Sequence, residues 1–286
     1  MKKIYFNLFA LLFGAIVISS CAEDVLEPES VENAEQTIAK AVYANRNVTF
    51  NHPNGSYARW RINKDFGNSS KVNNSELSRM RIGGKTMFLK LLKNKIGDKG
   101  GQYADFNITK GKHYEIFYNV KFTSGFNFGK GGKLPGLAGG AAYTGCRGAD
   151  ARSQGNGWSS RVMWGRKNKN GKTINAFYPY IYHAGMGGRC GEQFRTFSDP
   201  IAANKWYTVR MVVKMNTGSK NDGLLAIQIN GKYLIYNTNM KWVTKNAGRE
   251  IDLLMFGVYR GGADSSWAVG ADNEIQFDNV KWAKKS

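Results

Sequence analysis

The chain has 286 residues, of which 42% are hydrophobic, 13% aromatic and 22% charged. This balance supports a packed core and, despite 34 glycines, excludes a disordered or collagen-like chain. Lys and Arg outnumber Asp and Glu by 41 to 21, a net charge of +20, and the one apolar run approaching membrane-span length is N-terminal, which excludes a polytopic membrane protein.

At the N-terminus, Lys2 and Lys3 precede an apolar stretch from Ile4 to Ile18, closed by Ile18-Ser19-Ser20-Cys21. Residues 1–20 therefore read as a signal peptide. The last four residues resemble a bacterial lipobox, which implies cleavage before Cys21 and a lipid anchor on that cysteine; the alternative is an ordinary secretory signal with an incidental Cys. Residues 21–44 read as an acidic tether, with Glu23, Asp24, Glu27, Glu29, Glu32 and Glu35 against Lys40 and a helical period over Glu32 to Val42. The expectation is an exported lipoprotein of the cell envelope that touches membrane only through its anchor.

From Ala41 onward 38 basic residues face 15 acidic ones, so the folded part should capture polyanions quickly at low salt. Nucleic acid is the usual polyanion for such a charge, but an exported protein meets acidic polysaccharide or lipopolysaccharide more readily, and no nucleic-acid partner is expected. Residues 45–286 read as one domain and a monomer. Period-two alternation marks strands at Tyr114 to Phe122, Arg161 to Trp164, Ile174 to Tyr182, Trp206 to Met215, Leu224 to Ile229, Lys232 to Tyr236, Ile251 to Tyr259 and Glu274 to Trp282. Asn230-Gly231 predicts a type I′ hairpin. The stretch Arg166 to Thr173 reads as a long basic loop. Many strands and abundant glycine predict an all-β antiparallel sandwich or jelly roll.

With Cys21 lipidated, Cys146 and Cys190 remain as an even pair in an oxidising compartment, and a disulfide is the simplest reading. His52, His113 and His183 are too scattered for a zinc site, and no metal or cofactor is expected. Two phosphate-loop lookalikes, at Gly84-Lys85-Thr86 and Gly132-Lys133, lack required residues.

Within Ile174 to His183, alternation puts Tyr178, Tyr180 and Tyr182 on one face and Phe177, Pro179 and Ile181 on the core side. Ser159, Arg161 and Met163 share a face of a neighbouring strand. Pro179 in mid-strand suggests an edge or bulge, and His183, on the core side, reads as structural. The stretch Phe126 to Gly140 reads either as a flexible surface loop or as a place where glycine lets backbone approach a partner closely; it carries Lys130 and Lys133.

GGKLPGL at 131–137, SSRVMW at 159–164, YPY at 178–180, the Trp206-led strand, the NG hairpin and FDNVKW at 277–282 resemble, in that order, polysaccharide lyase family 14 and the related alginate and glucuronan lyases. The resemblance covers Lys85 to Trp282. It implies a jelly roll whose concave groove grips a 4-linked polyuronate, polymannuronate or glucuronan, and cleaves it by β-elimination. It also implies site roles: Lys133 and Arg161 neutralise the uronate carboxylate, Ser159 partners Arg161, and Tyr178 and Tyr180 serve as base and acid. Cations beside such a tyrosine should lower its pKa. Tyr182 extends the same face, so Tyr180 and Tyr182 are an alternative pair, and Lys130 is an alternative neutraliser. A non-catalytic acidic-glycan-binding module is the runner-up. A glycoside hydrolase, which needs two facing carboxylates, is least favoured because no such pair is evident.

Overall fold

In the computed structural model, residues 44–67, 69–72 and 77–285 are described; the signal segment, Cys21, the helical period at 32–42 and the tether up to residue 43 lie outside them. The described residues form two antiparallel sheets. Strands β1 (Asn45–Val48), β2 (Gly55–Ser56), β4 (Met80–Gly83), β5 (Thr86–Leu91), β7 (His113–Phe122), β11 (Trp206–Lys214), β12 (Gly223–Ile229), β13 (Lys232–Met240) and β15 (Asn273–Lys284) make a nine-stranded sheet in the order β13-β12-β11-β7-β15-β5-β4-β2, with β1 also on β15. Strands β3 (Ser69–Val72), β6 (Gln102–Gly111), β8 (Gly131–Gly140), β9 (Gly157–Lys169), β10 (Lys172–Tyr182) and β14 (Ile251–Arg260) make a six-stranded sheet in the order β10-β9-β8-β14-β6-β3. Two short helices, α1 (Arg59–Phe66) and α2 (Gly148–Gln154), accompany them. The expected all-β sandwich is the fold.

The core lies between the sheets and follows from alternation. Tyr114, Ile116, Tyr118, Val120 and Phe122 of β7 are all buried, and Trp158, Val162, Trp164, Phe177 and Ile181 face them from β9 and β10. Phe122 packs on Trp164 and Phe177 at centroid distances of 5.5 and 6.0 Å. Each such ring contributes about 1.5–3 kcal/mol through burial.

Three expectations about local structure need correction or confirmation. The glycine-rich stretch is not a loop: Gly131–Gly140 is the buried strand β8, paired on both sides. Its glycines serve packing, since a Cβ at Gly132 would run into the Trp164 ring and one at Gly136 into the Ser160 carbonyl. Arg166 to Thr173 is likewise no long loop; β9 and β10 continue into a hairpin closed by Asn170 and Gly171 at φ 54° and 81°. The Asn230-Gly231 turn has the expected positive φ at both positions, 50° and 79°.

Pro179 sits on the edge strand β10. Residues Asn175, Phe177 and Ile181 bond along the free edge of that strand to Ile201, Ser198 and Glu192 of the following segment. Pro179 belongs to the same outward series, where a missing N–H costs the sheet nothing. The segment after β10 thus folds back along the edge, and the Cys146–Cys190 disulfide ties it to the linker between β8 and β9.

Candidate active site

The outward face of the six-stranded sheet gathers most of the residues singled out from sequence. Register places Tyr180 opposite Arg161, Tyr182 opposite Ser159 and Tyr178 opposite Met163. On the other side of β9, Lys133 lies opposite Met163, and Gly136 opposite Arg161. Between those two points β9 advances two residues and β8 three; along the next strand, Tyr259 and Met255 oppose Lys133 and Gly136, an advance of four. A bulge at Leu134-Pro135 supplies the extra residue in β8, so Leu134 and Leu137 both face the core while Lys133 points out.

Arg161 is fully buried. Its Nη1 donates to Tyr259 Oη at 3.1 Å, whereas Nε and Nη2 have no hydrogen-bond partner. Two donors of a buried guanidinium are thus left for a bidentate acceptor, the geometry of a carboxylate. Burial opposes its charge, but the phenols of Tyr259, Tyr103 and Tyr182 outweigh that and raise its pKa, so it remains a cation.

Lys133 stands between two aromatic faces, its Nζ 5.1 Å from the Tyr180 centroid and 5.4 Å from that of Tyr259. The backbone at Gly261 closes over it so tightly that a Cβ there would lie 2.6 Å from Nζ. Burial, and then the charge of Arg161, lower its pKa from 10.5 to about 7. Lys133 is therefore a lysine that exchanges its proton near neutrality.

The tyrosines are not equivalent. The Tyr178 ring is buried beneath the Lys167 ammonium, 3.7 Å from its centroid, and its ring lies toward Gly165, near enough that a Cβ there would be 3.1 Å from the hydroxyl. Burial pushes its pKa up, and Tyr182 is raised for the same leading reason. The expected lowering by cations is overturned at both, because desolvation of the phenolate exceeds the attraction of nearby positive charge. Tyr182 Oη accepts the Cys146 N–H at 2.8 Å and lies 3.3 Å from Tyr180 Oη. Tyr180, partly buried, shares with Tyr259 the position beside both Lys133 and Arg161: its ring lies 5.1 Å from the Lys133 ammonium, and it sits opposite Arg161 in the register.

Other candidates have different duties. The Ser159 hydroxyl donates to the Tyr143 carbonyl at 2.6 Å, which fixes the β8–β9 linker. Lys130 is exposed and donates to Ser266 Oγ at 2.6 Å. His183 is buried between Glu192, 2.6 Å from Nε2, and the Lys241 carbonyl, in agreement with a structural role. Among the described residues no three His, Cys, Asp or Glu side chains form a metal-ligand group. Sequence reading missed Tyr259, Tyr103 and Asp105. Tyr259 was on a recognised strand, but only the register of β14 against β8 brings it to Lys133. Tyr103 is bonded to Asp105 and stacks near Tyr259, 6.3 Å between centroids.

The described geometry agrees with comparisons to known proteins. The description of polysaccharide lyase 14 matches residues 94–280. This chain belongs to polysaccharide lyase family 14. It is an alginate-lyase-like polysaccharide lyase by that membership, and solved structures extend the likeness across the fold. Alginate lyase Aly36B is 33% identical with a TM-score of 0.79, covering 86% of this chain and 98% of that one. The PL-14 alginate lyase of Aplysia kurodai shares the fold at 20% identity and a TM-score of 0.59, with 85% and 100% covered. A curated relative, Exolysin of Paramecium bursaria Chlorella virus 1, is 29% identical over 195 residues, 59% of this chain. The match spans 29% of that relative's length.

Proposed function

We propose that this family 14 enzyme cleaves alginate, with polymannuronate as preferred polymer, by β-elimination. The observation that carries the reading is the pairing of a buried arginine that has two free donors with a buried lysine whose pKa lies at about 7. Elimination requires removal of the C5 proton while charge grows on the adjacent carboxylate. Arg161 is built to take that carboxylate. Lys133, neutral for a substantial fraction of the time near neutrality, is suited to accept the proton, a different role from the neutraliser that the resemblance implied. Electrons from the C5–H bond form the C4–C5 double bond, the C4–O4 bond breaks, and O4 takes a proton from the Lys133 ammonium or from Tyr180 beside it. Tyr259 holds Arg161 in place.

Lys133 and Tyr180 occupy the same wall, so proton removal and return occur from one side. This suits mannuronate and glucuronate, whose C5 hydrogen and O4 lie on the same side of the sugar ring, over guluronate, and the alginate ligands in the Aly36B structures favour mannuronate between the two. Structures of Aly36B with alginate tetrasaccharide or trisaccharide were obtained with a lysine and either a tyrosine or a methionine replaced by alanine. Here Lys133, Met163 and Tyr178 form one cross-strand row, with Tyr180 adjacent.

The test is ultraviolet absorbance of the unsaturated product from polymannuronate, polyguluronate and glucuronan. Absorbance should rise fastest with polymannuronate and vanish with Lys133→Ala or Arg161→Ala. Retention of polymer without any absorbance rise would instead identify a glycan-binding module. The envelope location belongs to the same proposal: fatty-acid incorporation lost in Cys21→Ala supports the anchor, and its persistence refutes it.

A further inference from the structure

The outward face of the nine-stranded sheet, on the other side of the sandwich from Lys133 and Arg161, carries a corner of exposed aromatic rings. Among the described residues the exposed large hydrophobic side chains are Trp60, Trp206, Tyr233 and Tyr236; the last three, 39%, 54% and 60% exposed, lie on β11 and β13. Tyr233 pairs with Gln228 and Tyr236 with Ala226 across β12. Their rings meet edge to face at 5.3 Å. The Lys121 ammonium lies 4.9 Å from the Trp206 ring. Beside Tyr233 opens a cavity of about 300 Å³ whose polar lining includes Lys205, Lys232 and Asp199.

Single exposed aromatics are ordinary, but a cluster at the rim of a cavity marks a binding surface. The flat C–H face of a sugar stacks on such rings, and the polar lining sets which sugar. Charge here is positive: Asp199 bridges Lys169 and Lys232 at 3.0 Å each, which leaves one of those cations uncompensated, with Lys205 and Lys121 in addition. None of these residues contributes to the site on the six-stranded sheet.

We propose that this corner is a second, non-catalytic carbohydrate site that holds another stretch of the same anionic uronate polymer, a claim that rests on the lyase reading for the identity of its ligand. Sugar rings stack on Tyr233 and Tyr236, and carboxylates reach Lys205 and Lys232. Occupation of both faces by one long chain raises the local substrate concentration, whereas an oligosaccharide too short to reach around the sandwich gains nothing.

The test compares the full chain with its Tyr233→Ala/Tyr236→Ala and Lys205→Ala/Lys232→Ala forms. Polymer affinity is measured in a Lys133→Ala background by electrophoresis through gels containing polymannuronate or neutral dextran, and mannuronate tetrasaccharide cleavage is measured with Lys133 restored. The expected result is an affinity for polymannuronate weakened about tenfold by either pair, little retention on dextran, and unchanged tetrasaccharide turnover. Unchanged polymer affinity in both pairs overturns the proposal, as does equal retardation by dextran. A parallel fall in tetrasaccharide turnover also overturns it, since the residues would then serve the fold or the cleft. The lysine pair keeps the test decisive if the tyrosine pair folds poorly. If the unaltered chain cleaves no polymer but the variants lose retention, the lyase reading fails while the surface site stands.

Discussion

A buried lysine whose pKa is lowered to about 7 is a liability to the fold. Lys133 has a folded pKa of about 7 against 10.5 for the free side chain. The unfolded chain therefore binds more protons between about pH 7 and 10.5, and this residue's contribution to stability improves as pH rises through that window. Lys133→Met should abolish turnover yet raise the melting temperature at pH 6–7, with the gain shrinking toward pH 10, as read by calorimetry. In the unaltered enzyme kcat/KM should climb through about pH 7 as Lys133 loses its proton. Tyr180→Phe should lower kcat by about 10²-fold or more, while Tyr178→Phe, whose ring is capped by Lys167 and turned toward Gly165, should cost less than about tenfold; steady-state kinetics on polymannuronate separates them. Lys133, Arg161 and Tyr180 were all legible in sequence as a motif. The lowered pKa of Lys133 was not legible, because it depends on burial, and that burial involves Tyr259 at the end of β14 and Gly261 just after it, more than 120 residues further along the chain.

The strands carry the geometry through departures from regularity. Alternation identified β7, β9, β10 to β15 in whole or part, because apolar core residues alternate with polar or aromatic ones along them, even where both faces are buried, as in β9. It failed for β8, whose residues are small enough to let Trp164 and the Arg161 strand approach closely, so that the glycines resemble a loop. The register steps of two, three and four residues across β9, β8 and β14 are invisible in sequence because each needs its partner. Gly136→Ala should destabilise by about 1–3 kcal/mol through its collision with the Ser160 carbonyl, and should lower kcat by displacing Arg161; urea denaturation and kinetics on the same preparation check both. The disulfide closes a 44-residue separation, for which chain entropy predicts about 4 kcal/mol. Reduction should lower the melting temperature and free the segment beside Tyr180 and Tyr182, since the Cys146 N–H holds the Tyr182 hydroxyl.

At the scale of the whole molecule, the sandwich holds two sheets of unequal size with the candidate site on the smaller. The excess of 38 basic over 15 acidic residues from Ala41 onward should make capture of long polyuronate strongly salt-sensitive. Raising ionic strength from about 0.01 to 0.15 M shortens the Debye length from about 30 to 8 Å, so kcat/KM on polymer should fall steeply while kcat changes little, as measured by initial rates across a salt series. Fold class was legible from composition and period, because it is a bulk property. The face that carries the candidate site was legible through the tyrosine series on β10 and the Ser159, Arg161 and Met163 series on β9.

Arg161 brings a further consequence for turnover. Elimination destroys the C5–H and C4–O4 bonds but leaves the uronate carboxylate on the product, and the buried guanidinium has two donors that no protein group satisfies. Under the proposed mechanism the group that neutralises the developing charge is then also the one that retains the cut product. On that mechanism departure of the unsaturated end, rather than bond breaking, should be the slow event, and rapid mixing should reveal a burst of absorbance ahead of a slower steady rate. Simple carboxylates added at high concentration should compete for the same guanidinium, so the choice of buffer anion becomes a variable of the kinetics.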